Sequence, residues 1–382
     1  MKDKKVLIFL TSFCAEGTPV LVLGMAKKWM QQGIQPIVVT FKSKPIDLLA
    51  EFQTLSIQTH CLNVSDNGYI RYAQLTWAAY HLCCKYHPDA VLSMPLGWHS
   101  FIAWGARLAG VKTVCAHVGN YPPHNEGLQF QKFRWLVQLG RPVTTGLICC
   151  SDYIRQGVIT HFQVSPGEAI TIYNGCPITP FPESAAAARS VRERCPFTVG
   201  MVARLEQHKD QPTLIRAAHC LKTQGFNIKV QLIGDGSRRQ EYEALINELS
   251  LQETVHLLGM RRDIPTLLEQ MDVFAFSVKP DEGFGIALVE AMMAKVPVIA
   301  TDVGACREVL HQGRYGVLVE PYNPHHLAKE ILSIMNSPHE SEKRVQLAYD
   351  HVKAAFGIET MAQTYASKLK LVNSDSFISK PQ

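Results

Sequence analysis

Two carboxylates, Glu282 and Glu290, stand eight residues apart around a glycine turn in the stretch DEGFGIALVEAMMAKVPVIATDVGACREVL, residues 281–310. The turn Gly283-Phe284-Gly285 exposes backbone N–H groups, and a helical pattern opens directly behind it at Ile286, so the site can cradle an anion. Eight helical residues span about 12 Å, roughly the length of a phosphorylated sugar unit. A phosphate at the helix start and a hydroxyl-rich group at each carboxylate would fit that spacing. Glu290 is flanked by Leu288, Val289, Ala291 and Met292, so burial is expected there, and a buried carboxylate needs a partner. Phe284 serves either as part of the cradle or as a plug of the core.

Two cations, Arg204 and Lys209, follow another strand pattern, five residues apart. Cations fixed at the carboxyl end of a strand can stabilise negative charge that grows on a leaving group. Arg grips two oxygens at once and Lys acts as a point charge. On its own an R-x4-K pair is an ordinary surface feature. Gly234-Asp235-Gly236 also follows a strand, without the full spacing of a dinucleotide site. In the first half, Gly17 of Glu16-Gly17-Thr18-Pro19 opens a helix, and His117 ends a strand in CAHVGNYPP, with Asn120 in the same loop. A lone strand-end histidine is otherwise a satisfied structural residue.

These residues need a scaffold, and the pattern supplies one. Strands are expected at residues 5–11, 36–41, 57–64, 90–94, 112–117 and 146–150, and helices at 18–32, 68–87 and 98–109, with Gly33 as a helix stop. Alternation of this kind predicts a parallel, doubly wound sheet. A proline- and alanine-rich stretch over residues 174–189 breaks the pattern, and a second α/β series starts at residue 197. There, a strand at 273–276, the glycine turn, a helix at 286–295 and a strand at 296–300 form one α/β unit. The expected domains are 1–178, completed by a C-terminal helix at 358–372, and 190–357, with a polar tail at 373–382. Two such domains facing one another would leave a cleft between them.

Composition narrows the function. The chain has 382 residues, 47% hydrophobic and 19% charged, which fits globular domains. The 11 cysteines include no C-x-x-C pair and read as buried free thiols. The apolar run at residues 6–10 is too short for a signal peptide, and no run approaches a membrane span, so a cytoplasmic location is expected. Net charge is +5, with +6 in residues 1–180 and −1 in the remainder. The basic half suits an anionic surface or substrate. No nucleic-acid motif accompanies it, and no P-loop is present.

The order of blocks VARLEQHKDQPTLIRA, LIGDGSRR, LLGMRRDIPTLLEQMDVFAFS and EGFG with E-x7-E, preceded by IYNGCP, resembles the retaining glycosyltransferases of family 4. The resemblance covers most of residues 170–325. It implies a GT-B fold of two Rossmann-like domains and transfer of a sugar from a nucleoside diphosphate sugar to a hydroxyl, in polysaccharide or glycolipid synthesis. It implies Arg204 and Lys209 at the diphosphate, Glu290 at the ribose, and Glu282 and His117 at the sugar. Gly283, Phe284, Gly285 and Ile286 would meet the diphosphate. Gly17 and Gly234 would lie in glycine turns near the donor, and Met260 and Arg261 near the base. Many members carry two glycines where this chain has Glu16-Gly17. No DxD-like motif stands where a metal would be needed, and the two cations can take its place. An epimerase or phosphorylase of related fold, or a non-catalytic binding subunit, are the rival readings.

The segment QFQKFRWLVQLGR, residues 129–141, mixes Phe130, Phe133, Trp135 and Leu136 with Lys132, Arg134 and Arg141. It is either an interfacial helix at anionic lipid, suiting a lipid-linked acceptor and a peripheral position at the inner face of a membrane, or a helix packed on its own domain. A saccharide acceptor fits equally.

Overall fold

Short runs of aliphatic residues, buried on both faces, build two all-parallel sheets, as crossover helices require. The computed structural model describes residues 4–15, 17–64, 68–123, 127–176 and 196–372. Glu16, the linker-like residues 177–189 and the tail at 373–382 lie outside the described residues. By internal contacts the chain divides into two units, residues 1–177 with 358–382, and residues 178–357.

The first unit holds strands β1 (Lys4–Leu10), β2 (Ile34–Thr40), β3 (Gln58–Cys61), β4 (Ala90–Ser93), β5 (Thr113–Val118), β6 (Gly146–Cys149) and β7 (Ala169–Thr171), in the order β3-β2-β1-β4-β5-β6-β7. Its helices are α1 (Gly17–Gln31), α2 (Leu49–Thr54), α3 (Ile70–Tyr86), α4 (Leu96–Leu108), α5 (Leu128–Gly140) and α6 (Asp152–Phe162). Gly33 stops α1 as expected, at φ 75° with its N–H on the Met30 carbonyl. β2 begins two residues earlier than the pattern suggested. Pro36 is tolerated because β3 pairs only from Ile37 onward, so no ladder bond is lost. The strand expected at 57–64 shrinks to Gln58–Cys61, because Asn63 turns left-handed at φ 47°.

The second unit holds β8 (Phe197–Val202), β9 (Ile228–Ile233), β10 (Val255–Gly259), β11 (Val273–Phe276), β12 (Val298–Thr301) and β13 (Val317–Val319), in the order β10-β9-β8-β11-β12-β13. Around them lie α7 (Gln211–Thr223), α8 (Arg239–Glu248), α9 (Ile264–Glu269), α10 (Ile286–Met293), α11 (Gly304–Val309), α12 (Pro324–Asn336) and α13 (Pro338–Ala355). A last helix, α14 (Ile358–Lys368), belongs to the first unit: Trp29 Nε1 donates to the Ala362 carbonyl at 2.8 Å, and the Ile358 N–H reaches Cys176. α10 ends before the expected Lys295, which turns left-handed at φ 56°. The Val296 N–H then closes onto the Ala291 carbonyl, so the following strand starts at Val298 instead of residue 296.

The strand order reverses direction between β8 and β11, so the loops leaving their carboxyl ends diverge and open a crevice. The β8 loop carries Arg204 and Lys209; the β11 loop carries Glu282 and the glycine turn. Sheet order alone therefore brings together residues some 75 positions apart, as the Lys209–Glu282 separation of 73 shows.

Candidate active site

Four short contacts weld the two loops. Lys209 and Val278 form an isolated antiparallel bridge, and Asp210 N–H donates to the Ser277 carbonyl at 3.0 Å. Lys279 N–H reaches the His208 carbonyl at 3.2 Å. The fourth contact is chemical: Lys209 Nζ donates to Glu282 Oε2 in a largely buried ion pair. Burial pushes the Glu282 carboxyl up, but the Lys209 charge and hydrogen bond, the Phe284 N–H and His208 override it and hold the carboxyl below its ordinary range. Lys209 Nζ also lies 5.2 Å above the Phe276 ring.

The glycine turn has a steric reason. Gly285 sits at φ 86° as the N-cap of α10, and a Cβ there would meet Phe276 Cε1 at 2.8 Å. Its carbonyl accepts from Leu288 and Val289, which starts the helix. The N–H groups of Gly285, Ile286 and Ala287 make no hydrogen bond to a described residue, so the α10 N-terminus presents donors and the positive end of its dipole. Phe284 differs from Ile286: its ring is buried edge-on against Phe356 at 5.3 Å, and its N–H points at Glu282 Oε1, 3.4 Å away. Of the two readings of Phe284, the core plug is the one its side chain follows.

Glu290 lies on α10, partly buried, and burial pushes its carboxyl up to about 7. The partner that its burial demanded is not supplied from within: among the described residues its side chain forms no hydrogen bond or ion pair. A half-buried carboxyl without a protein partner is poised to accept hydroxyl protons from a ligand.

Arg204 is exposed on the β8 loop, whose shape is set by Gln211 Nε2 donating to the Arg204 carbonyl at 2.7 Å. Gly234 and Gly236 support the same loop. Gly234, at φ 133°, packs so closely that a Cβ would fall 2.2 Å from the Ala203 carbonyl oxygen, and Leu205 N–H reaches the Asp235 carbonyl at 3.0 Å. These glycines let two backbones touch and thereby aim Arg204. Arg261 is exposed and forms a bidentate pair with Asp263, at 2.8 and 2.5 Å. Met260 beside it is half exposed.

His208 escaped the reading of the pattern. It stands between the cations, and burial, Lys209 and Arg204 push its imidazole pKa down against the pull of Glu282 and Asp281. Only the cross-sheet pairing puts it next to Glu282, so no local motif marks it.

In the first unit, His117 is the penultimate residue of β5, fully buried, with Nδ1 2.8 Å from the Tyr365 hydroxyl. Burial pushes it down to about 4, so it is neutral near pH 7. Asn120 is exposed in the following loop, and Gly17 is the exposed first residue of α1.

The profile of the glycosyl transferases group 1 matches residues 187–351, and that of the glycosyltransferase family 4 matches residues 15–179. Among curated relatives, the N-acetylgalactosamine-N,N'-diacetylbacillosaminyl-diphospho-undecaprenol 4-alpha-N-acetylgalactosaminyltransferase of Campylobacter jejuni is 26% identical over 77% of this chain and 82% of its own length. An uncharacterised glycosyltransferase of Methanocaldococcus jannaschii is 30% identical over 54% of each chain. Among solved structures, Anabaena HepE in complex with UDP and glucose superposes with a TM-score of 0.81 at 22% identity, over 97% of this chain and all of that one. The sucrose-phosphate synthase of Thermosynechococcus elongatus superposes at 0.79 with 17% identity, over 96% and 98%. These likenesses show the GT-B fold.

Proposed function

We propose that this chain, which belongs to the family 4 glycosyltransferases, is a retaining enzyme that moves a hexose from a nucleoside diphosphate sugar to a hydroxyl of a saccharide or lipid-linked acceptor. Its setting would be polysaccharide or glycolipid synthesis. The observation that carries the reading is Glu290: a half-buried carboxyl with no partner among the described residues, on the helix whose first N–H groups are also unaccepted. A nucleoside diphosphate sugar satisfies both, with ribose hydroxyls on Glu290 and phosphate oxygens on the N–H groups of Gly285 and Ile286.

As the bond between the sugar and the diphosphate breaks, negative charge collects on the leaving phosphate oxygen. Arg204, Lys209 and the α10 N-terminus would stabilise it more in the transition state than in the bound donor, which lowers the barrier. No metal is called for in this account. The Glu282 carboxylate, kept ionised by Lys209, would accept a sugar hydroxyl and hold Lys209 in place. Gly283 would line the phosphate path, and Gly234 would serve by aiming Arg204; for Gly17 and His117 a role at the donor is what the family resemblance implies. Arg261 would meet the base.

A thermal-shift screen with UDP-, GDP- and ADP-sugars tests the donor class, and UDP-glucose and UDP-N-acetylgalactosamine are the first candidates because of the two relatives above. Stabilisation by one base series, lost in Glu290→Ala, is expected. Full turnover by both Arg204→Ala and Glu290→Ala would sink the site assignment. Isomerisation of the donor without acceptor would favour an epimerase, and binding without transfer a non-catalytic subunit.

A further inference from the structure

Three neighbouring helices of the first unit share an outer face built from aromatic rings and cations. α4 lies between α3 and α5. On one side Gly105 packs so tightly against Thr76, Ala79 and Tyr80 that a Cβ would clash; on the other Ser100 donates to the Leu136 carbonyl and Trp104 Nε1 to the Leu139 carbonyl at 3.0 Å. Their inner sides fill the core with Leu75, Ala79, Ile102, Ala103 and Ala106, and α5 adds Phe130, stacked on Phe162 at 5.5 Å.

The outer side is not what a solvated helix face shows. Trp77 is 65% exposed, Trp135 62% and Leu108 67%, with Tyr80 and Trp104 between them. At the helix starts, Tyr69, Ile70 and Leu128 are exposed too, and those starts lie at the carboxyl edge of the sheet, where ligands of such folds bind. None of the three helices contains an Asp or Glu, while they carry Arg71, Lys85, Arg107, Lys132 and Arg134. Asp89, beyond α3, is paired with Lys4 at 2.7 Å. Lys132 and Arg134 form no hydrogen bond or ion pair with a described residue.

We infer that the α3–α4–α5 face is a docking surface for an anionic lipid bilayer. Tryptophan and tyrosine settle at the headgroup boundary, with an apolar ring and a polar N–H or O–H, and the cations meet lipid phosphates. Charge chooses the occupant: three helices without Asp or Glu, with Lys132 and Arg134 unpaired among the described residues, complement anionic headgroups, whereas a protein partner of ordinary surface would bring both signs. Among the described residues no helix is long and apolar enough to cross a membrane, so attachment would be peripheral. The segment at 129–141 is thus one third of a wider surface, with its Phe130 side turned to the core and its Trp135 side outward.

Cosedimentation of the full chain with vesicles of phosphatidylcholine, or of phosphatidylcholine mixed with phosphatidylglycerol, tests this. The wild type should bind the anionic vesicles, release with rising salt and ignore the neutral ones. Each surface cation contributes roughly fivefold to partition, so Lys132→Glu/Arg134→Glu should lose well over tenfold. Trp77→Ser/Trp135→Ser should lose a comparable amount, while both variants keep the thermal shift of the wild type with donor, which shows that they fold. Equal binding to both vesicle types, wild-type binding by either variant, or no binding at low salt overturns the inference. So does a solution dimer that Trp77→Ser/Trp135→Ser dissociates, because the face would then belong to a second copy.

Discussion

The Tyr365 hydroxyl, on the last helix of the chain, lies 2.8 Å from Nδ1 of His117 at the end of β5. Burial holds Tyr365 protonated, and with its hydroxyl donating to Nδ1 the ring proton of His117 sits on Nε2. The closing helix therefore fixes the orientation of this histidine, and we expect it to select the Nε2–H tautomer. Tyr365→Phe is expected to cost about 1–2 kcal/mol, the value of a buried hydrogen bond with one partner left unpaired. Chemical denaturation measures it, and the ring nitrogen shifts of His117 report the tautomer. Unchanged nitrogen shifts in the variant would show that Tyr365 does not set it.

Acid should loosen the first unit. His117 and His99 are both pushed down to about 4 from the ordinary 6.5 by burial. The unfolded chain therefore binds protons between pH 6.5 and 4 that the folded chain refuses, and stability falls as pH drops through that window. Each histidine accounts for on the order of 3 kcal/mol at full extent. Denaturation midpoints measured from pH 7 to pH 4 should fall steadily, with a shallower slope in His99→Gln. A pH-independent midpoint would mean that neither ring is buried in solution.

Breaking the Lys209–Glu282 pair should hurt more by halves than as a whole. Lys209→Met leaves a carboxylate that is 8% exposed without its cation, and removing one partner of a buried pair costs about 3–5 kcal/mol. Lys209→Met/Glu282→Gln should recover much of that stability while staying without transfer activity. The comparison separates fold from function: the stability loss belongs to the pair, and the loss of turnover that survives in the double variant belongs to the donor contacts of Lys209 and Glu282 together. Additive stability losses would show that the side chains do not interact.

Much of this site could be read from the chain because its key elements are local. Glu282, the glycine turn and Glu290 occupy nine consecutive positions, and the turn between strand and helix shows in residue types alone. Gly285 was legible for the same reason, since φ 86° beside Phe276 admits no other residue cheaply. The rest depends on pairings across the sheet. His208 becomes a neighbour of Glu282 only when β8 and β11 lie side by side, and the support that Gly234 gives to Arg204 is a contact between backbones. The strand expected from residue 296 is present but starts at Val298, through a conflict between two local signals: apolar residues call for a strand, while Lys295 and Val296 are needed to end the helix.

Replacing Gly285 tests the turn directly. In Gly285→Ala the left-handed backbone costs about 1 kcal/mol, and the 2.8 Å approach to Phe276 adds overpacking of about 1–3 kcal/mol. Relief of that clash moves either the start of α10 or the Phe276 ring that lies under Lys209 Nζ, so donor affinity should fall at least tenfold, beyond what the stability loss alone produces in a folded sample. Thermal unfolding and donor titration of the same preparation give both quantities. A destabilised variant with wild-type donor affinity would remove the α10 N-terminus from the phosphate site.

Glu290 makes the donor site sensitive to pH. Its carboxyl titrates at about 7 in the free protein, against an ordinary 4.5, because burial disfavours the charge. With the folded value raised, the ionised form weighs on stability: the second unit should lose stability as pH climbs from 4.5 through 7. Donor binding runs the opposite way. The ionised carboxylate accepts from two ribose hydroxyls, while the protonated form spends one oxygen as a donor, so affinity should rise with pH and level off above 7. If only the ionised form binds, the donor dissociation constant weakens about tenfold at one pH unit below that value. Calorimetric titration of the donor from pH 5.5 to pH 8 reads the curve. Glu290→Gln should bind more weakly at pH 8 and show a flat profile, because the amide does not titrate. A variant that keeps the wild-type pH dependence would place the titrating group elsewhere and take the ribose away from Glu290.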